Sequence, residues 1–265
     1  MKLFIAILTA FIVAAIPVLA QNAAPALTFD ATNPLTLPDD VYLGEVGGVA
    51  TNSRGDIFVY TRTGHPTVSM ATARPFSHGG SRLFQFDKSG HFTREIGAGV
   101  YGFLFAAQVR VDPQDNLWVV DELSSMVMKF DPQGRVAFLL GRKAEAINNP
   151  PRAGGAGAAG EGGGGRGGGR AAGAGAPQDV FNRPTDVAWD AQGNIFISDG
   201  YGNSRVAKFD KNGVFVKTWG SAGTGPGQFN TLHSIATDAA GNVYVGDRGN
   251  RRIQVFDNNG NFKTM

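Results

Sequence analysis

The sequence predicts an all-β chain folded as a β-propeller, and three observations carry that expectation: a tandem repeat, a glycine- or aspartate-asparagine turn inside each copy, and a repeat interval of blade length. Asp112-Pro-Gln-Asp-Asn-Leu-Trp-Val-Val-Asp121, Asp190-Ala-Gln-Gly-Asn-Ile-Phe-Ile-Ser-Asp199 and Asp238-Ala-Ala-Gly-Asn-Val-Tyr-Val-Gly-Asp247 superpose, and each sets its second aspartate nine positions after its first. Each copy continues to a Phe-Asp pair, a two-residue spacer and a glycine: Phe130-Asp131 to Gly134, Phe209-Asp210 to Gly213, and Phe256-Asp257 to Gly260. A degraded fourth copy runs from Asn52 through Gly55-Asp56-Ile57 to Phe86-Asp87 and Gly90.

Gly-Asn or Asp-Asn supplies the positive-φ residue of a tight turn between an incoming strand and a β-branched or aromatic outgoing one, so every copy reads as strand, turn, strand. Asp190 and Asp238 lie 48 residues apart, within the range that four-stranded propeller blades occupy. A solenoid of stacked hairpins is the competing architecture, but its repeats are mostly shorter. About four blades are expected in this chain.

Taken in order, the chain opens with Lys2, an apolar run from Leu3 to Val18, and Val18-Leu19-Ala20 before Gln21. These are the basic, hydrophobic and small-residue regions of a signal peptide, read here as residues 1–20. The run falls short of the length a bilayer core requires, so no membrane span is expected after cleavage and the protein is expected to be secreted or periplasmic. Residues 21–265 form one propeller unit. The first copy is lengthened by His65 to Ser81, which reads as a long loop over one face. Residues 153–176 are a Gly/Ala tract with Arg166 and Arg170, too poor in apolar side chains to offset its ordering entropy, and a disordered loop is expected there. Asn261 to Met265 reads as the opening of another outer strand, which suggests a C-terminally incomplete ring.

No cysteine is present, so an exported chain of this kind rests on burial and strand pairing instead of disulfides. A formal net charge of +2 gives no electrostatic case for a nucleic-acid partner. A monomer is expected.

Arg183-Pro-Thr-Asp-Val-Ala-Trp-Asp190, Ser198-Asp-Gly-Tyr-Gly-Asn-Ser-Arg205, Gly227-Gln-Phe-Asn-Thr-Leu-His-Ser-Ile-Ala236 and Asp247-Arg-Gly-Asn-Arg-Arg-Ile-Gln254 resemble peptidyl-α-hydroxyglycine amidating lyase, and Gly48-Val-Ala and Arg62-Thr-Gly-His65 extend the likeness. It covers most of residues 45–262. The resemblance implies an NHL-repeat propeller, six-bladed in the family, whose channel carries zinc with a structural calcium. It also implies cleavage of a C-terminal α-hydroxyglycine to a peptide amide and glyoxylate. By position it makes Tyr201 the active-site tyrosine, His233 a zinc ligand, Arg62 the arginine that holds the substrate carboxylate, and Arg248 a second arginine near the site. The chemistry is coherent, since a phenolate accepts a proton from a metal-bound hydroxyl and a guanidinium fork suits a carboxylate.

The sequence also departs from that pattern. A catalytic zinc site usually takes three protein ligands, and the position matching His233 in the preceding strong copy, five residues before Asp112, is Ala107 with Gln108 beside it. His65 and His78 lie on the long first insertion. Three readings follow: a metal-dependent carbon–nitrogen lyase acting on a peptide or small 2-hydroxy compound; a non-catalytic propeller that binds a ligand or a protein partner on one face; and a lactonase-like hydrolase using a channel calcium. Asp121, Asp199 and Asp247 recur in every strong copy and are expected to accept turn hydrogen bonds inside each blade. Arg251 and Arg252 are expected to be solvated or paired with the repeat aspartates.

Overall fold

The computed structural model describes residues 28–30, 32–63, 68–70, 74–76, 80–141 and 180–265. The expected signal peptide, His65, His78 and the tract 153–176 lie outside the described residues. The chain divides into two units, Met1–Asn33 and Pro34–Met265. The described residues of the first carry no regular secondary structure, and all that follows concerns the second.

Four four-stranded antiparallel sheets, or blades, make up this unit, one for each copy of the repeat. Blade 1 comprises β1 (Glu45–Thr51), β2 (Ile57–Arg62), β5 (Ser81–Phe86) and β6 (Phe92–Ile96). Between β2 and β5 a separate antiparallel pair, β3 (Val68–Met70) with β4 (Arg74–Phe76), stands where the sequence suggested a plain loop. Blade 2 is β7 (Ala106–Val111), β8 (Leu117–Asp121), β9 (Met126–Phe130) and β10 (Val136–Gly141). Blade 3 is β11 (Asp186–Trp189), β12 (Ile195–Asp199), β13 (Arg205–Phe209) and β14 (Phe215–Trp219). A short parallel pair, β15 (Ser221–Ala222) and β16 (Gln228–Phe229), leads to blade 4: β17 (Leu232–Thr237), β18 (Val243–Asp247), β19 (Arg252–Phe256) and β20 (Phe262–Thr264). The segment read from sequence as an outer strand is the outermost strand of blade 4, pairing Phe256 with Phe262 and Val255 with Thr264.

The turns follow the chemistry of the repeat. Gly55, Gly193 and Gly241 sit at φ 85, 83 and 80°, and Asp115 holds the same place in blade 2 at φ 60°. Apolar cores form between successive blades. Phe58, Tyr60, Val109 and Val119 lie between blades 1 and 2. Trp118, Val120, Val187 and Ile197 lie between blades 2 and 3, and Phe196, Val206, Ile235 and Val245 between blades 3 and 4. The remaining face of blade 1 is covered by the preceding segment, which packs Leu35, Leu37, Val41 and Leu43 on Val59, Phe84 and Phe86. The first strands β1, β7, β11 and β17 neighbour one another in turn, so the sheets fan out from a shared inner row. Among the described residues no helix is long and apolar enough to cross a membrane.

Candidate functional site

The inner strands share an irregularity that builds a pocket. In β1, β7 and β17 the pairing with the second strand shifts at one residue: Gly47, Ala107 and His233. Each lies five positions before the first polar residue of its repeat, as Thr185 does in blade 3. A bulged residue is turned out of the ladder, and all four line one pocket of about 400 Å³.

The remaining lining also follows the repeat register. Arg62, the last residue of β2, and Glu122 and Arg248, which immediately follow β8 and β18, each stand ten positions after the repeat's first polar residue. Glu45, Phe105 and Arg183 each stand seven positions before it. Tyr201 is one place beyond the arginine and glutamate row, in the Gly200-Tyr201-Gly202 turn. That turn needs its glycines for close approach: a Cβ on Gly200 would overlap the Leu232 carbonyl, and one on Gly202 would overlap the Asn182 side chain.

The structure therefore brings Arg62, Tyr201, His233 and Arg248 together on one pocket. The Tyr201 and His233 rings meet edge-on, with centroids 6.2 Å apart at 70°. Arg248 donates from a terminal nitrogen toward the Tyr201 phenolic oxygen at 3.3 Å, and among the described residues it makes no ion pair. Arg62 is more committed: its Nε donates to the Ala106 carbonyl at 2.9 Å, a terminal nitrogen to Glu45 at 2.9 Å, and its guanidinium lies 3.6 Å from the Phe105 ring centre. Since Glu45 is exposed, that ion pair is weak and open to exchange for another carboxylate.

Sequence reading missed Glu45, Phe105, Glu122 and Arg183. Arg183 pairs with Glu122, a carboxylate only 4% exposed, and its guanidinium carbon sits 4.4 Å from the Tyr201 ring centre. A positional signal existed for Glu122 alone, which holds the repeat offset of Arg62 and Arg248; Glu45, Phe105 and Arg183 share an offset at which the sequence reading found no residue.

Among the described residues no group of three or more His, Cys, Asp or Glu could hold a metal ion. Ala107 occupies the bulge position equivalent to His233, so the described pocket does not fit a three-ligand zinc centre. Its lining instead carries three guanidinium groups, Arg62, Arg183 and Arg248, and two carboxylates, Glu45 and Glu122, one positive charge in excess.

Residues 181–265 match a family model described as "6-bladed beta-propeller". The chain is 30% identical over 233 residues to the peptidylglycine alpha-amidating monooxygenase of Rattus norvegicus, a match that takes in 82% of this chain and 21% of the relative. It thus spans about a fifth of that relative's length. It is 27% identical to a probable peptidyl-alpha-hydroxyglycine alpha-amidating lyase of Caenorhabditis elegans, over 81% of this chain and 56% of the relative. A shorter match, 44% over 79 residues, takes in 29% of this chain and 23% of the NHL repeat-containing protein 3 of Homo sapiens. Among solved structures, a streptogramin B lyase superposes with a TM-score of 0.52 at 10% identity, covering 84% of this chain and 55% of its own, a likeness of fold alone.

Proposed function

We propose that this chain, an NHL-type β-propeller similar to the peptidyl-α-hydroxyglycine amidating lyases over most of its length, is a lyase that takes a carboxylate-terminated 2-hydroxy compound into the inner-strand pocket. One observation carries the reading: four residues from three blades, Arg62, Tyr201, His233 and Arg248, converge on that pocket. Arg248 and Arg62 would receive the carboxylate, Arg62 by releasing Glu45, since a guanidinium fork matches the two carboxylate oxygens. Tyr201 would take the α-hydroxyl proton while the carbon–nitrogen bond breaks. The nitrogen leaves as the amide after gaining a proton, and the carbonyl carbon leaves as glyoxylate.

A second reading, capture of the same carboxylate without turnover, is favoured by Ala107 at the bulge equivalent to His233. Glyoxylate release from an N-acyl-α-hydroxyglycine, measured with and without added zinc, separates the two. On the lyase reading Tyr201→Phe lowers kcat by about 10²-fold or more, the scale of general acid–base catalysis, with KM little changed. Arg248→Ala raises KM. Saturable binding of the substrate with no glyoxylate at any metal concentration would leave the capture reading standing and remove the lyase one.

A further inference from the structure

A tyrosine in a turn works as a base only if its ring keeps one orientation, and a residue outside the expected set, itself held by a second, grips Tyr201 here. The Arg183 carbonyl accepts the Tyr201 backbone N–H at 3.4 Å. The same residue's guanidinium carbon stands 4.4 Å from the Tyr201 ring centre, within the range where a cation is drawn to an aromatic face. That guanidinium is tethered in turn: Nε donates to Glu122 Oε1 at 2.7 Å, and a terminal nitrogen donates to the same oxygen. Glu122 is almost fully buried, and its backbone N–H donates to the Phe105 carbonyl at 3.0 Å, so the anchor belongs to blade 2 and not to the loop it steadies.

An arginine facing this pocket would otherwise turn toward the incoming carboxylate. Glu122 engages two of its nitrogens and leaves the planar face toward the phenol. We infer that Arg183, fixed by Glu122, is a positioning residue that sets the orientation of the Tyr201 ring across the pocket. Its kinetic consequence rests on the proposed lyase reading, whereas the geometric claim does not. Lysine could keep the charge but lacks the planar fork that serves Glu122 and the ring together.

The test uses Arg183→Lys and the double variant Arg183→Met with Glu122→Gln, the second of which leaves no unpaired buried charge. The chain has five tyrosines, so a protein carrying 13C at the tyrosine ζ-carbons gives few enough resonances to assign the one missing in Tyr201→Phe. In both variants the Tyr201 resonance shifts while the others hold, and kcat for glyoxylate release falls on the order of tenfold to a hundredfold with KM within about twofold, as expected of a misplaced group. An unmoved Tyr201 resonance overturns the inference. A rise in KM at unchanged kcat also overturns it, by making Arg183 a substrate anchor. If the unaltered protein releases no glyoxylate, the lyase reading falls alone and the resonance still decides the positioning claim.

Discussion

The aspartate closing the second strand of blades 2, 3 and 4 does more than cap a turn. Asp121, Asp199 and Asp247 are all 0% exposed. Each reaches back to the segment that enters the inner strand: Asp121 accepts the N–H of Leu104 and Phe105, Asp199 that of Asn182, and Asp247 that of Asn230. Each therefore clamps the two chain segments that carry pocket residues. Asp199 and Asp247 also hold Arg205 and Arg252 by Nε at 2.9 and 2.8 Å. Burial pushes the Asp199 carboxyl above the ordinary carboxylate range, against the hydrogen bonds from Asn203 and Asn182 and the Arg205 charge. Arg205→Met removes that charge from a pair only 1% and 0% exposed, and should cost about 3–5 kcal/mol at neutral pH, read from urea unfolding. The sign with pH follows from a raised carboxyl: the penalty of the stranded carboxylate is present above its folded pKa and is relieved as acid protonates it. The gap between variant and parent should therefore narrow on acidification, and adding Asp199→Asn should recover part of the loss at pH 7.

At the level of the strand and turn, the hairpins carry the opposite titration. Asp238 accepts the Asn242 N–H at 2.8 Å and its side-chain amide at 2.7 Å, and Asp257 holds Asn261 in the same way at 2.9 and 2.7 Å. The side-chain hydrogen bonds from these asparagines, then the backbone ones, keep both carboxyls below the ordinary value. A depressed carboxyl contributes stability above its unfolded pKa of about 4 and loses it as pH falls through the lower folded value. Unfolding midpoints should accordingly drop below about pH 4, with a shallower slope in Asp238→Asn, and an unchanged slope would show that this turn does not contribute. These turns were the legible part of the fold, because a hairpin fixes its own φ and its own acceptor within five residues. The pair β3 and β4 was not legible, since strands of three residues offer too little alternation to read. Nor was the covering of blade 1 by Leu35, Leu37, Val41 and Leu43, which depends on a face defined by other elements. In the pocket, Tyr201, His233, Arg62 and Arg248 were found by resemblance. Glu122 was passed over although it holds the repeat offset of Arg62 and Arg248, because it carries the opposite charge, and Arg183 was passed over because an ion pair linking residues 61 positions apart leaves no local pattern.

Across the whole Pro34–Met265 unit, the repeat places one aromatic side chain at the same point of each second strand, six positions after the first polar residue: Phe58, Trp118, Phe196 and Tyr244. The first three are 3%, 3% and 0% exposed, each enclosed in the core shared with the following blade. Tyr244 is 37% exposed, and its hydroxyl donates to Asp238 at 3.0 Å. Identical local sequence logic thus yields different energetics according to what stacks on the face. Blade-on-blade burial, not the hairpin itself, supplies most of the stabilisation of these aromatics. Phe196→Ala opens a cavity between blades 3 and 4 and should cost about 3–5 kcal/mol, whereas Tyr244→Ala should cost about 1 kcal/mol, mostly its hydrogen bond. Urea unfolding of the two variants beside the parent protein measures the difference. Equal losses would mean that the face of Tyr244 is covered in solution, and the loss at Tyr244 would then gauge how firmly.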